Sequence, residues 1–379
     1  MPFRRQMPLQ CAAAIRLCWK RVSDMSDVLT RLANALPGGA DAALIESDVN
    51  RRYLTGMKSS AGTLLVTRDG SYLVIDFRYF EKAKATAKGC EVILQDKLYQ
   101  QIKELCQKHG VKTLAIEGER MTVARLSQWK KQLDVEFVTD GLDEAINDFR
   151  SVKTADELDI MRSAQKITDR AFAELLNFIK EGRTEREVKN ELERLLCAFG
   201  GDGIAFDTIA VSGKNSSMPH GTPTDKKLCA GDFLTLDFGA KKDGYCSDMT
   251  RTVAIGYASD EQQKVYNTVL EAQRRAMEVI RAGVKCSDVD FAARDYIENQ
   301  CGYKGCFGHG LGHSLGLEIH EGPSFSPLSQ AVAKSGNVLS VEPGIYLEGQ
   351  FGVRIEDVVI IGENGFEDIT ASPKQLIIL

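Results

Sequence analysis

Four carboxylates of this chain stand in, or at the ends of, apolar strand-like runs, and a fold that buries those runs must bring each carboxylate a cation. Asp237 lies in Phe-Leu-Thr-Leu-Asp-Phe-Gly-Ala (residues 233–240) and Asp248 in Cys-Ser-Asp-Met-Thr-Arg. Glu342 follows Val-Leu-Ser-Val, and Glu356 stands just ahead of Val-Val-Ile-Ile at 358–361. Carboxylates in such surroundings are almost never fully buried unless they are paired or ligate a metal. An imidazole joins them, because His309, His313 and His320 fall within twelve residues and are interleaved with glycine. His309 and His313 have the i, i+4 spacing of a helical zinc pair, yet glycine at four of the nine positions 308–316 disfavours a helix. Glycine there suits an extended chain passing close to something compact. Four oxygen donors and one imidazole are too many for one structural zinc, which takes four ligands weighted towards Cys and His. They suit two divalent cations that share carboxylates, the arrangement that activates water for hydrolysis.

Local spacing refines this. A hairpin with Lys241–Gly244 as its loop would pair Ala240 with Tyr245 and set Asp237 opposite Asp248, with β-carbons about 4.5–5.5 Å apart. Each charge would then raise the other's pKa until a cation relieved the pair. The spacing alone leaves open an arrangement with one aspartate exposed at a strand end and the other in a turn. Pro343-Gly344 ends the strand after Glu342, which places that side chain at a strand terminus. Arg354, two residues from Glu356, is expected on the same strand face, where it would orient that carboxylate; a plain surface ion pair is the alternative.

The ordered series Asp237, Asp248, His313, Glu342, Glu356 resembles the dinuclear metallopeptidases that include methionine aminopeptidase, aminopeptidase P and prolidase. The resemblance covers roughly residues 150–375. Met218-Pro219-His220-Gly221-Thr222-Pro223 and the Gly-His-Gly-Leu-Gly-His-Ser-Leu-Gly-Leu-Glu-Ile-His-Glu stretch are similar to the Xaa-Pro branch. Creatinase, which shares the fold but lacks the ligands, is disfavoured because none is missing. The resemblance implies an α/β (α+β) chain, with a C-terminal pita-bread catalytic domain preceded by a smaller creatinase-like α/β domain. It implies that Asp248 and Glu356 bridge two divalent metals, that Asp237 binds one, and that His313 with Glu342 binds the other. A bridging water, acidified by the metals, would attack the scissile carbonyl, with Glu342 also the general base. His220 and His320 would stabilise the oxyanion or protonate the leaving nitrogen. His309 and Arg354 would line the proline pocket. An oxygen-dominated shell favours Mn²⁺, with Co²⁺ or Zn²⁺ as alternatives.

At 379 residues the chain is long enough for two domains, whereas a minimal methionine aminopeptidase is one. The expected division is a basic extension at 1–24, an N-terminal domain at 25–148 and the catalytic domain at 149–379. Residues 25–145 alternate strand and helix signals. They comprise a hairpin at 63–67 and 72–75, helices near 79–87, 98–109 and 121–132, and strands at 92–94 and 114–116. Thr154 with Glu157 has the form of a capping box opening a long amphipathic helix, 156–180. In the basic extension Arg16 interrupts the only apolar run, so no signal h-region forms there, although an organellar presequence is an alternative. No stretch approaches the roughly 20 apolar residues of a membrane span.

Ten cysteines without a C-x-x-C pair fit a reduced, cytoplasmic chain. A net charge of −5 gives no reason to expect nucleic acid as a partner. A homodimer acting on peptides with a penultimate proline is the expectation the resemblance carries. Three activities compete: an Xaa-Pro aminopeptidase, a prolidase restricted to Xaa-Pro dipeptides, and a non-catalytic peptide-binding protein of the same fold. Pro323-Ser324-Phe325 offers no basic residue to capture a dipeptide's carboxylate, which favours the aminopeptidase; such a group could still come from elsewhere. Intact ligands disfavour the third reading.

Overall fold

The computed structural model describes residues 26–379; the basic extension expected at 1–24 lies outside the described residues. The N-terminal half is built on one six-stranded mixed sheet, in the order 91–94, 71–75, 63–67, 42–45, 113–116, 136–138. Its central hairpin, Thr63–Thr67 with Ser71–Ile75, and its helices Phe77–Thr86, Leu98–Lys108 and Val123–Gln132 fall within two residues of their expected positions. Side chains alternate across the sheet. Leu64, Val66, Leu73 and Ile75 pack into one core, while Leu44, Leu65 and Val74 pack with Ile102 and Trp129 into the other. Helices Asp48–Thr55 and Leu142–Ser151 and strands Ala42–Ile45 and Glu136–Val138 come in addition to the expected elements. Ala42–Ile45 is buried on both faces and only four residues long, too short for alternation to register.

Leu142–Ser151 is a single helix, so a division at 148/149 would cut it; we propose the boundary at 152–154 instead. Helix Ala155–Leu175 opens there, with the reciprocal Thr154–Glu157 capping box the sequence indicates. It ends at Leu175, short of Lys180. Of the four sheets in the C-terminal half, two hold the strands that contain or flank Asp237, His313 and Glu342. Ile209–Ser212, Phe233–Phe238 and Met249–Ala254 form one. The other runs Glu321–Phe325, Gly312–Ser314, Val338–Val341, Asp357–Ile361, Phe366–Asp368. Helices Ala155–Leu175 and Glu185–Ala198 pack Phe172, Leu175 and Leu192 against Leu234, Leu236 and Phe238. Helix Asp260–Val279 packs Val265 and Val269 with Leu339, Val341 and Val353. Among the described residues no helix is long and apolar enough to cross a membrane.

The hairpin register differs from the expected one by two residues. Lys242 pairs with Tyr245, Phe238 with Met249 and Asp237 with Thr250, so Asp248 is not directly opposite Asp237. The loop is the two-residue Asp243-Gly244, with φ of 45° and 82°. These are the positive φ values that a tight hairpin turn needs and that Asp-Gly supplies. A two-residue slip preserves the face, so the aspartates remain diagonal neighbours on one side.

Behind the ligand-bearing strands lies a buried cation. Arg251, 1% exposed, donates to the carbonyls of Thr250, Glu356, Ser372 and Pro373 and to Asp357 Oδ1 at 2.7 Å. Lys374 closes on the same aspartate. Arg251→Met should cost about 3–5 kcal/mol, the usual size of a broken buried pair. Urea unfolding would measure it, and a loss below about 1 kcal/mol would show this clamp to be dispensable.

Candidate active site

Each candidate ligand sits where a strand begins, ends or breaks. Asp237 is near the end of Phe233–Phe238, and Asp248 lies in the gap between Tyr245–Cys246 and Met249–Ala254. His313 is central in Gly312–Ser314 and Glu342 follows Val338–Val341 directly. Glu356 lies between Phe351–Arg354 and Asp357–Ile361. Their side chains converge on one cavity of about 500 Å³, which His220, His309, His320 and Arg354 also line. All the sequence-selected site residues therefore meet in one place.

The chemistry of the cavity fits metal ions. Ligand atoms of Asp248, His313 and Glu356 lie within 4.8 Å of one another. His313 Nε2 is 3.6 Å from Asp248 Oδ2 and 3.4 Å from Glu342 Oε1. Asp237 Oδ1, Asp248 Oδ1 and Glu356 Oε1 are buried and have no hydrogen-bond partner among the described residues. Unmatched buried acceptors cost about 1–3 kcal/mol each, more when charged. Three of them around one cavity suit cations, not protein donors. Burial, reinforced by the neighbouring carboxylates, pushes Asp248 and Glu356 well above the ordinary carboxylate range. Burial pushes Glu342 up to about 8 despite the opposing charge of Arg354. His313 is shifted down by burial, which favours the neutral imidazole that binds metal.

Arg354 does not orient Glu356 as the spacing suggested. Its Nη2 donates to Asp237 Oδ2 at 2.7 Å, and its Nε to Thr250 Oγ1 at 3.0 Å. Thr250 Oγ1 in turn donates to Glu356 Oε2 at 2.7 Å, so the contact is relayed. The reason is that Phe351–Arg354 ends before Glu356, so the two residues do not share a strand. Arg354 Nη1 also reaches Tyr346 OH at 2.7 Å and the Pro219 carbonyl at 3.2 Å. Tyr346 OH lies 3.0 Å from His309 Nε2. Burial, then the charge of Arg354, lowers the His309 pKa to about 4, so this ring is neutral at pH 7. Tyr346 is a site residue that the sequence reading missed. The hairpin pairing Gly344 with Arg354 and Tyr346 with Gly352 puts Tyr346 and Arg354 on one face. Its sequence signal is the glycine-centred turn Glu348-Gly349-Gln350 between two apolar runs.

His320 stands against His313, ring centroids 4.4 Å apart. Its pKa is lowered by burial and by the charges of His313 and His220. Phe206, Ile209, Pro219 and Ile319 give the cavity an apolar wall, and none was singled out from sequence.

Residues 159–363 match the metallopeptidase family M24, and residues 31–152 match the creatinase/prolidase N-terminal domain. The chain is 37% identical to an Xaa-Pro dipeptidase of Pyrococcus furiosus, over 89% of this chain and 95% of that protein. An Xaa-Pro dipeptidase structure from Bacillus anthracis superposes with a TM-score of 0.91 at 39% identity, covering 94% of this chain and 100% of that one. An X-Pro aminopeptidase structure from Thermotoga maritima gives 0.86 at 36% identity, with coverage of 94% and 100%.

Proposed function

Because the chain belongs to metallopeptidase family M24, and is thereby a metal-dependent Xaa-Pro peptidase, we propose that it releases the N-terminal residue from peptides whose second residue is proline. The observation that carries this is the convergence of three unpartnered buried carboxylate oxygens and four histidines on one cavity. In our reading Asp237, Asp248, His313, Glu342 and Glu356 would hold two divalent cations, with Asp248 and Glu356 serving both. When bound, such ions lower the pKa of water and polarise a carbonyl. Glu342 takes the proton of the attacking water; Ser340 Oγ, 3.1 Å from its Oε1, fixes its rotamer. His220 and His320 stabilise the developing oxyanion or deliver a proton to the departing proline nitrogen. His309 and Arg354, both bonded to Tyr346 OH, form the wall against which the proline ring rests. The oxygen-rich ligand set supports Mn²⁺ over Co²⁺ or Zn²⁺.

The test is a hydrolysis panel on metal-loaded protein: Xaa-Pro, Xaa-Pro-Yaa, Met-Ala-Xaa and creatine. Release of Xaa from the tripeptide is the expected result. Cleavage of Xaa-Pro alone would select the second reading, an Xaa-Pro dipeptidase, which the names of two of the similar proteins above favour. The eight described cysteines are all unpaired, which supports cytoplasmic residence. A homodimer is part of the same reading, and sedimentation would test it.

His220→Ala and His320→Ala should each keep two metal ions while turnover falls on the order of 10²-fold or more. Metal content and tripeptide turnover are measured together. Loss of metal would make either histidine a ligand, and unchanged turnover would give it a packing role only.

A further inference from the structure

His320 makes no hydrogen bond through its imidazole among the described residues, so its place at the cavity wall is set by the backbone that carries it. That backbone is held from outside the catalytic half. Glu318 and Glu321 bracket His320. Arg150 Nη2 reaches both, at 2.8 Å to Glu318 Oε2 and 2.5 Å to Glu321 Oε1. Arg150 lies on the helix Leu142–Ser151 and is only 4% exposed. Its Nη1 donates to Asn50 Oδ1 at 2.9 Å, and Asn50 Nδ2 donates to the buried Glu117 at 2.8 Å. Arg120 adds a two-pronged contact to Glu318, at 3.0 and 2.7 Å. Lys153 Nζ lies 3.2 Å from the other oxygen of Glu321.

The loop itself is drawn tight around these carboxylates. Glu321 Oε1 accepts from the Glu318 backbone N–H at 3.1 Å, and Gly316 N–H donates to the Glu318 carbonyl at 2.9 Å. A β-carbon at Gly316 would come within 2.7 Å of the Glu321 carboxylate, so a side chain there would press on the carboxylate that Arg150 and Lys153 hold.

We propose that Arg150 is a positioning residue for His320, holding the imidazole at the reaction site by gripping the two glutamates on either side of it. This rests on the Xaa-Pro peptidase reading above. The N-terminal half thereby contributes to turnover through a fixed chain of contacts, Glu117–Asn50–Arg150–Glu318/Glu321, without touching substrate. A one-ångström misplacement of a reacting group can cost on the order of 10²-fold, so the contacts need not break completely to matter.

The experiment is a double-mutant cycle on the metal-loaded full chain. Arg150→Ala should lower kcat roughly 10-fold or more with KM little changed and two metals retained, and Arg150→Lys should recover part of the loss. In a His320→Ala background the same Arg150 change should have almost no further effect, because it acts through a group already removed. With only five histidines in the chain, ring ¹H–¹⁵N spectra of the protein loaded with diamagnetic Zn²⁺ give a readout independent of catalysis. The His320 signals, assigned by their loss in His320→Ala, should move or broaden in Arg150→Ala while those of His109 stay. Should Arg150→Ala not fold, Glu318→Gln and Arg120→Gln, both part-exposed, test the same grip with smaller expected losses. Additive effects in the cycle, or an unmoved His320 ring, overturn the proposal. A silent His320→Ala accompanied by a moved ring would instead overturn the role given to His320 while leaving the structural grip in place.

Discussion

Replacing Glu356 with alanine should strip both metal ions from the protein and abolish turnover, and Asp248→Ala should do the same. Glu356 holds one oxygen on Thr250 Oγ1 and leaves the other unpartnered inside the ligand cluster. Asp248 has an oxygen 3.6 Å from His313 Nε2 and ligand atoms within 4.8 Å of those of Glu356, so one side chain could serve two ions. Removing a shared ligand weakens both sites at once. Removing Asp237 would leave the other site's ligands in place, so we expect that variant to retain one ion. Metal catalysis of this kind supplies several kcal/mol, so loss of both ions should cost about 10³-fold or more in kcat. Metal per chain by elemental analysis, read beside tripeptide turnover, separates the two cases. Two equivalents retained in Glu356→Ala would end the shared-ligand assignment.

The four candidate carboxylates are legible in the sequence because each sets a charge in or beside an apolar run, and His313 is legible from the glycines and histidines around it. The pairing among them is less so. Counting a four-residue loop sets Asp237 opposite Asp248, although Asp243-Gly244 is itself the stronger turn signal, and choosing it gives the observed register. Nearness in sequence points Arg354 at Glu356, yet its partner Asp237 stands 117 residues away. The same limit hides Arg150, whose contacts to Glu318 and Glu321 span 168 and 171 residues. Local spacing reports which residues resist burial; which partner relieves them is decided by the packing of distant strands. In the N-terminal half, the elements with clear alternation or helical periodicity emerge close to their expected bounds. The four-residue Ala42–Ile45, at the centre of the sheet, does not.

Chelation should lower the melting temperature most at high pH. Without cations, burial and mutual repulsion raise Asp248, Glu342 and Glu356 above their ordinary values, Glu342 to about 8. A carboxyl whose folded pKa lies above its unfolded one binds its proton more tightly when folded. The stability it contributes is complete below the unfolded value and is lost as pH rises through the folded one. Each tenfold change in proton affinity is worth about 1.4 kcal/mol, so between pH 7 and 9 Glu342 alone should weaken the metal-free chain by on the order of 1 kcal/mol, with Asp248 and Glu356 acting in the same direction. His313, lowered by burial, works in the opposite direction only below its ordinary value of 6.5, outside this window. Bound cations compete with those protons, so metal binding strengthens as pH rises and the loaded protein should keep its melting temperature across the same range. The gap between loaded and chelated protein should accordingly widen from pH 7 to pH 9, and full activity should return when Mn²⁺ is restored. Thermal melts of both forms at three pH values provide the measurement. A gap that does not depend on pH would mean the carboxylates are not protonated in the metal-free fold. The cluster would then have to be relieved by some partner other than a cation.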